Sequence, residues 1–104
     1  MRLELHPAAE EESYEAASWY DDQLSGLGDE LLVEIDRWVQ AILEAPEFWP
    51  VWPGAPQFAV PVRRCMLQRF NRYGIAYQAF QDHVRVVAVV HLNRRPFYWA
   101  ERIG

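Results

Sequence analysis

Apolar positions along this chain keep two periods, one alternating and one helical, and the changes between them mark out its elements. Arg2 to His6 alternates polar and apolar residues, which predicts a short strand. Pro7 then stands where a first helical residue prefers to be. Glu10, Glu11 and Glu12 follow in the early turns, where carboxylates complement the helix dipole. Ala16, Ala17, Tyr20, Leu24 and Leu27 recur at helical spacing as far as a Gly26-Leu27-Gly28 turn. Asp29 is placed to open a second helix. There Leu31, Ile35, Trp38 and Ile42, widened by Leu32, Val39 and Leu43, form one apolar stripe, while Glu30, Glu34, Asp36, Arg37 and Gln40 lie off it. So short a turn predicts an antiparallel helical hairpin, and Pro46 ends it.

Residues 46–61 carry five of the seven prolines together with Phe48, Trp49, Trp52 and Phe58. Proline removes backbone donors, so this is an extended connector. Its aromatics have two readings: a functional loop, or a lid folded over the core. Three strands follow, within Val62–Phe70, Tyr73–Phe80 and Val84–Leu92. In the first, Arg63 and Arg69 fall on one side and Arg64 on the other. In the last, Val84, Val86, Ala88, Val90 and Leu92 face one way; Arg85, Val87, Val89 and His91 face the other. Apolar residues on both faces make it the central strand. The Asn71-Arg72 and Gln81-Asp82 links are short enough for consecutive hairpins. The expected fold is α+β, in the order β-α-α-β-β-β, as a single domain over residues 1–104.

Charge changes the picture more than composition does. The net charge of −5 conceals a division: residues 1–50 hold thirteen acids and two arginines, and residues 51–104 hold two acids and eight arginines. Every cation is arginine, the side chain that grips carboxylate or phosphate bidentately at any pH. GC-rich coding also favours arginine over lysine. The one cysteine, Cys65, lies inside a strand run and reads as a buried thiol. With no signal-like start and no membrane-length apolar run, the chain is expected to be cytoplasmic.

Most catalytic chemistries lack their residues. His6, His83 and His91 are scattered, so no metal site is expected; no cofactor motif is present either, since Gly26 and Gly28 are followed by no lysine. Only three serines occur, and none sits in a nucleophile elbow. The cluster left is Arg63, Arg64, Arg69, Arg72, Arg85, Arg94 and Arg95, which predicts binding of a negatively charged target or partner by a basic groove near His91 and Tyr98, on the sheet face that the helices leave uncovered. Such a groove binds phosphate backbone, or stabilises the charge of a cleaving phosphodiester. The alternative is that these arginines pair with the acids of the first half.

In order along the chain stand Trp19-Tyr20-Asp21-Asp22-Gln23, Gly26-Leu27-Gly28-Asp29, Pro46 and Pro50. Val62-Arg63-Arg64, Phe70, Ile75-Ala76-Tyr77, Val84 through Val90, His91, Arg94-Arg95-Pro96 and Tyr98-Trp99 follow. This ordered set resembles the RelE/ParE toxin superfamily of type II toxin–antitoxin modules, most of all its plasmid-stabilisation, ParE-like branch. The resemblance implies a helical hairpin packed on a twisted antiparallel sheet, and a small toxin neutralised by a cognate antitoxin. It implies one of two actions: poisoning DNA gyrase without nuclease chemistry, or cleaving messenger RNA on the ribosome. The cleaving branch typically places arginine after the aromatic that opens the third strand, and often uses lysines; here Gly74 follows Tyr73, and lysine is absent. Gyrase is therefore the favoured target. An endoribonuclease would draw on Arg64, His91, Arg95 and Tyr98. A third reading is a binding module of the same fold that has lost toxicity.

Overall fold

His6 and Pro7 turn the first strand into the first helix. In the computed structural model, which describes residues 1–103, β1 spans Arg2–Leu5 and α1 spans Pro7–Gln23. His6 is extended and caps α1, its Nδ1 accepting from the Ala8 amide at 3.0 Å, while proline at the first helical position forfeits only a donor that would be unpaired anyway. A three-residue link follows. Gly26 adopts a left-handed conformation, φ 91°, which costs glycine little, and α2 runs Leu27–Glu44. The helix thus opens two residues before Asp29, because its capping carboxylate comes from the preceding helix: Asp21 Oδ1 accepts from the Gly28 amide at 2.8 Å.

The remaining strands are β2 (Val62–Met66), β3 (Tyr73–Ala79) and β4 (His83–His91), before a 3₁₀ turn over Tyr98–Arg102. The sheet order is β1-β4-β3-β2. Neighbours among β2, β3 and β4 are antiparallel, whereas β1 lies parallel to β4: the helical hairpin carries the chain from β1 to the far edge at β2, and two antiparallel returns bring it back beside β1. The architecture is α+β in the expected order, and β4 is interior.

Two expectations about side-chain direction are corrected here. The β3–β4 register runs from Ala76 opposite Ala88 to Tyr77 opposite Val86, so Val87 is an extra residue, a bulge. Alternation therefore inverts part-way along β4. Val84 and Val86 join the core under the helices, while Val87, Ala88 and Val90 pack on the opposite face. Beyond the bulge it is Val89 and His91 that line the helix side, so Val84, Val86, Ala88 and Val90 do not share a face. Likewise β2 stops at Met66, and Arg69 lies in the following loop rather than on a strand face with Arg63.

Both faces of the sheet are covered. Under the helices, Leu31, Ile42, Ile75, Tyr77 and Val84 are fully buried, each large aliphatic stabilising by roughly 1.5–3 kcal/mol relative to exposure. Cys65 lies in the same core, and burial pushes its thiol up to about 11, so it behaves as a small apolar side chain. The other face is closed by the connector and the C-terminal turn. Trp52 and Phe58 pack against the fully buried Trp99, with ring centroids 5.7 and 6.4 Å away. The connector also runs along the edge of β2, where Trp52 N donates to Val62 O at 2.8 Å and Arg64 N to Pro50 O at 2.9 Å. Trp52 and Phe58 thus form a lid, while Phe48 remains exposed.

Candidate functional site

The seven arginines marked in the sequence are scattered rather than gathered. Arg63 lies on the helix side of the β2 edge, donating to Trp49 O at 2.7 Å and, less closely, to Glu47 O. Arg64 points to the opposite face, its guanidinium 5.6 Å from the Trp52 ring. Arg69 pairs with Glu30 at 2.9 Å, and Arg85 lies 3.3 Å from Glu4. These four are internal ties. The face that the helices leave open, where a basic groove was expected, is occupied by Trp52, Phe58 and Trp99.

A different residue organises the C-terminal end. Glu12 on α1, its side chain 10% exposed, accepts from Arg102 Nη1 and Nη2 at 2.9 Å each and from the Tyr98 hydroxyl at 2.6 Å. It also accepts from the Val89 amide at 3.1 Å, and Arg94 approaches it at 3.4 Å. This is the part of β4 beyond β1, where no strand is available on that side. Glu12 satisfies the Val89 amide and Arg102 Nη1 the Val87 carbonyl, so side chains take the place of a ladder. Tyr98 is held protonated: burial first, then its hydrogen bond to Glu12 and that carboxylate's charge, push its pKa well above the ordinary tyrosine value. Arg94 stacks over the Tyr98 ring at 3.8 Å.

Neither Glu12 nor Arg102 stands out by composition. The available signal was helical spacing, because Glu12 falls three residues after Ala9 and four before Ala16, both buried, so it is an acid inside an apolar stripe. Glu34 repeats the pattern on α2. Expected off the stripe, it is only 9% exposed and accepts from the Arg69 and Phe70 amides, fixing the loop after β2.

Beside the Glu12 hub opens a cleft of about 620 Å³ between α1 and the ends of β3 and β4. Trp19, Tyr20 and Glu15 line it from the helix, and Arg72, Tyr73, His91 and Arg94 from the sheet. Leu92 N donates to Arg72 O at 2.8 Å, which fastens the loop before β3 to the segment after β4 and so brings Arg72 and Arg94 to one end of the molecule. His91 packs edge-on against Tyr73 and accepts from the Asn93 amide through Nδ1, so Nε2 is its remaining polar atom. Trp19 is more than half exposed. The cleft gathers His91, Arg72 and Arg94; Arg95 is exposed on the neighbouring turn, and Arg64 is on the far side of the sheet.

Exposed tryptophan beside exposed arginine is the residue composition of interface hot spots in general. No three His, Cys, Asp or Glu side chains converge as a metal site among the described residues, nor is any described helix long and apolar enough to cross a membrane. No protein-family model matches the chain, and no curated protein matches it either.

Proposed function

We propose that the chain is the toxin of a ParE-like toxin–antitoxin module, arresting growth by binding a macromolecular target, DNA gyrase being favoured, and neutralised by a cognate antitoxin. The ordered motifs that resemble the RelE/ParE superfamily suggest the class. One observation supports binding over cleavage: the four residues a nuclease would need are not together. Arg64 and His91 lie on opposite faces of the sheet, and the Tyr98 hydroxyl is spent on Glu12. Phosphodiester cleavage needs a proton acceptor near the 2′-hydroxyl and a fixed cation at the scissile phosphate in one place. Trp19, Arg72 and Arg94 instead present a surface for a partner.

A second reading, a metal-independent endoribonuclease acting on the ribosome, draws on one fact: His91 shares the cleft with Arg72 and Arg94. Induced expression separates the two. The binding reading expects growth arrest with altered plasmid supercoiling and no codon-phased transcript ends. Codon-phased ends that vanish in His91→Ala would replace it with the nuclease. Absence of both effects leaves the binding module without toxicity.

A further inference from the structure

β1 is the edge strand that nothing covers. The Arg2 amide donates to Asp82 O and the His6 amide to Val86 O, so the backbone groups of Arg2, Glu4 and His6 face β4, and those of Leu3 and Leu5 face outward. Among the described residues no hydrogen bond reaches Leu3 or Leu5 from that side. The other edges are treated differently. The connector pairs along β2, and Glu12 and Arg102 seal β4 beyond β1. An open edge is a template for another strand.

We propose that this edge pairs with the β1 edge of a second copy of the chain, antiparallel about Leu3, to give a two-fold symmetric dimer with a continuous eight-stranded sheet. The sequence fits itself in that register. Leu3 meets Leu3, Arg2 meets Glu4, Glu4 meets Arg2, and Met1 and Leu5 meet each other, so both charged pairs are of opposite sign and each apolar side chain opposes another. The backbone agrees, because the outward groups of Leu3 face those of its copy. A two-residue shift, with Leu3 opposite Leu5, would set Glu4 against Glu4 and Arg2 against His6.

The surroundings fit the same occupant. Met1, Leu3 and Leu5 are 60%, 39% and 39% exposed. Beside Leu3 and Leu5 lies an apolar groove of about 260 Å³, lined from the helices by Tyr14, Leu32, Ile35 and Val39. Residues directly opposite across an antiparallel pair project to the same face, so the leucines of the second copy reach toward this groove. Tyr14, at 59% exposure, extends the apolar surface along α1. The face is distinct from the cleft at Arg72 and Arg94, and dimerisation does not depend on the toxin reading.

The test is sedimentation over a concentration series extending to the millimolar range. Wild type self-associates; Arg2→Glu and Glu4→Arg each weaken self-association at least tenfold, since each sets like charges opposite one another. Mixing the two variants restores association, because one then carries two acids against two arginines. Hydrogen exchange on wild type gives a readout independent of any variant's folding: the Leu3 and Leu5 amides slow as concentration rises. A wild type that stays monomeric, variants that associate like wild type, a mixture that stays apart, or amide exchange indifferent to concentration each overturn the proposal. So does protection of those amides only on adding a different protein.

Discussion

Glu12 couples three segments through one carboxylate, and its removal separates packing from charge. Glu12→Gln keeps the shape but leaves Arg102, whose side chain is 16% exposed, without a counter-charge. Breaking a buried pair from one side costs about 3–5 kcal/mol, and urea melts read it directly. Tyr98→Phe removes one hydrogen bond from a carboxylate that keeps its arginine, so its cost is smaller, about 1.5–3 kcal/mol. Because the two residues touch, the double variant is expected to lose less than the sum of the single losses. His6 sets a pH dependence of its own. Burial first, then the positive charges of Arg102 and Arg85, lower its pKa from the ordinary 6.5, and its cap requires an unprotonated Nδ1. Its folded pKa lies below its unfolded one, so the contribution is full above pH 6.5 and is lost as pH falls through the folded value. In His6→Asn, which keeps a capping acceptor, stability melts across that window should show a shallower decline toward acid than wild type.

At the scale of elements, the helical hairpin is held by a close approach that only glycine permits. A Cβ on Gly28 would overlap the Ala17 carbonyl oxygen and stand 2.8 Å from the Asp21 carboxylate, and the first of these is backbone that cannot turn aside. Gly28→Ala is therefore expected to destabilise by at least the roughly 1–3 kcal/mol of an overpacked core site, by prising α1 from α2. Ile42→Ala tests the other end of α2. Its side chain is fully buried, so it is core rather than an open partner groove, and truncation should cost about 2–5 kcal/mol in a melt of the free protein. These elements were legible because helical and alternating periods differ and because Pro7, Gly26 and Pro46 punctuate them. The inversion along β4 was not legible. Val84 to Val90 is apolar at nearly every position, so a one-residue bulge leaves no trace in an apolar-polar pattern. The cap on Gly28 was hidden for a related reason: Asp21 and Asp29 are equally plausible by type, and only the hairpin angle selects between them. Of the candidate site, Arg94, His91 and Arg72 were found by residue type, whereas Glu12 and Arg102 act through a contact spanning most of the chain.

Across the whole molecule, the arginines of the second half are largely taken up inside the fold, while most acids of the first half stay unpaired. Arg69 meets Glu30, Arg85 meets Glu4, and Arg94 and Arg102 meet Glu12, so acids of the early elements stitch to arginines of the late ones. Arg63 is spent on backbone carbonyls, and Arg64 on Trp52. Of the second-half arginines this leaves Arg72 and Arg95 with no side-chain tie among the described residues, next to the half-exposed Arg94, all toward the end where Leu92 is tied to Arg72. Partner recognition should therefore be concentrated on few cations. If the proposed antitoxin is the partner, Arg72→Ala combined with Arg95→Ala is expected to slow its association about tenfold at low ionic strength, because exposed charges act chiefly on encounter. The gap should close as salt rises and the Debye length shrinks. Arg69→Ala, which breaks only an exposed internal pair worth less than about 1 kcal/mol, should associate like wild type. Stopped-flow association at several salt concentrations measures all three. Equal slowing by Arg69→Ala would mean that total charge, not this end of the molecule, steers the partner, and the cleft at Trp19, Arg72 and Arg94 would lose its claim as the docking site.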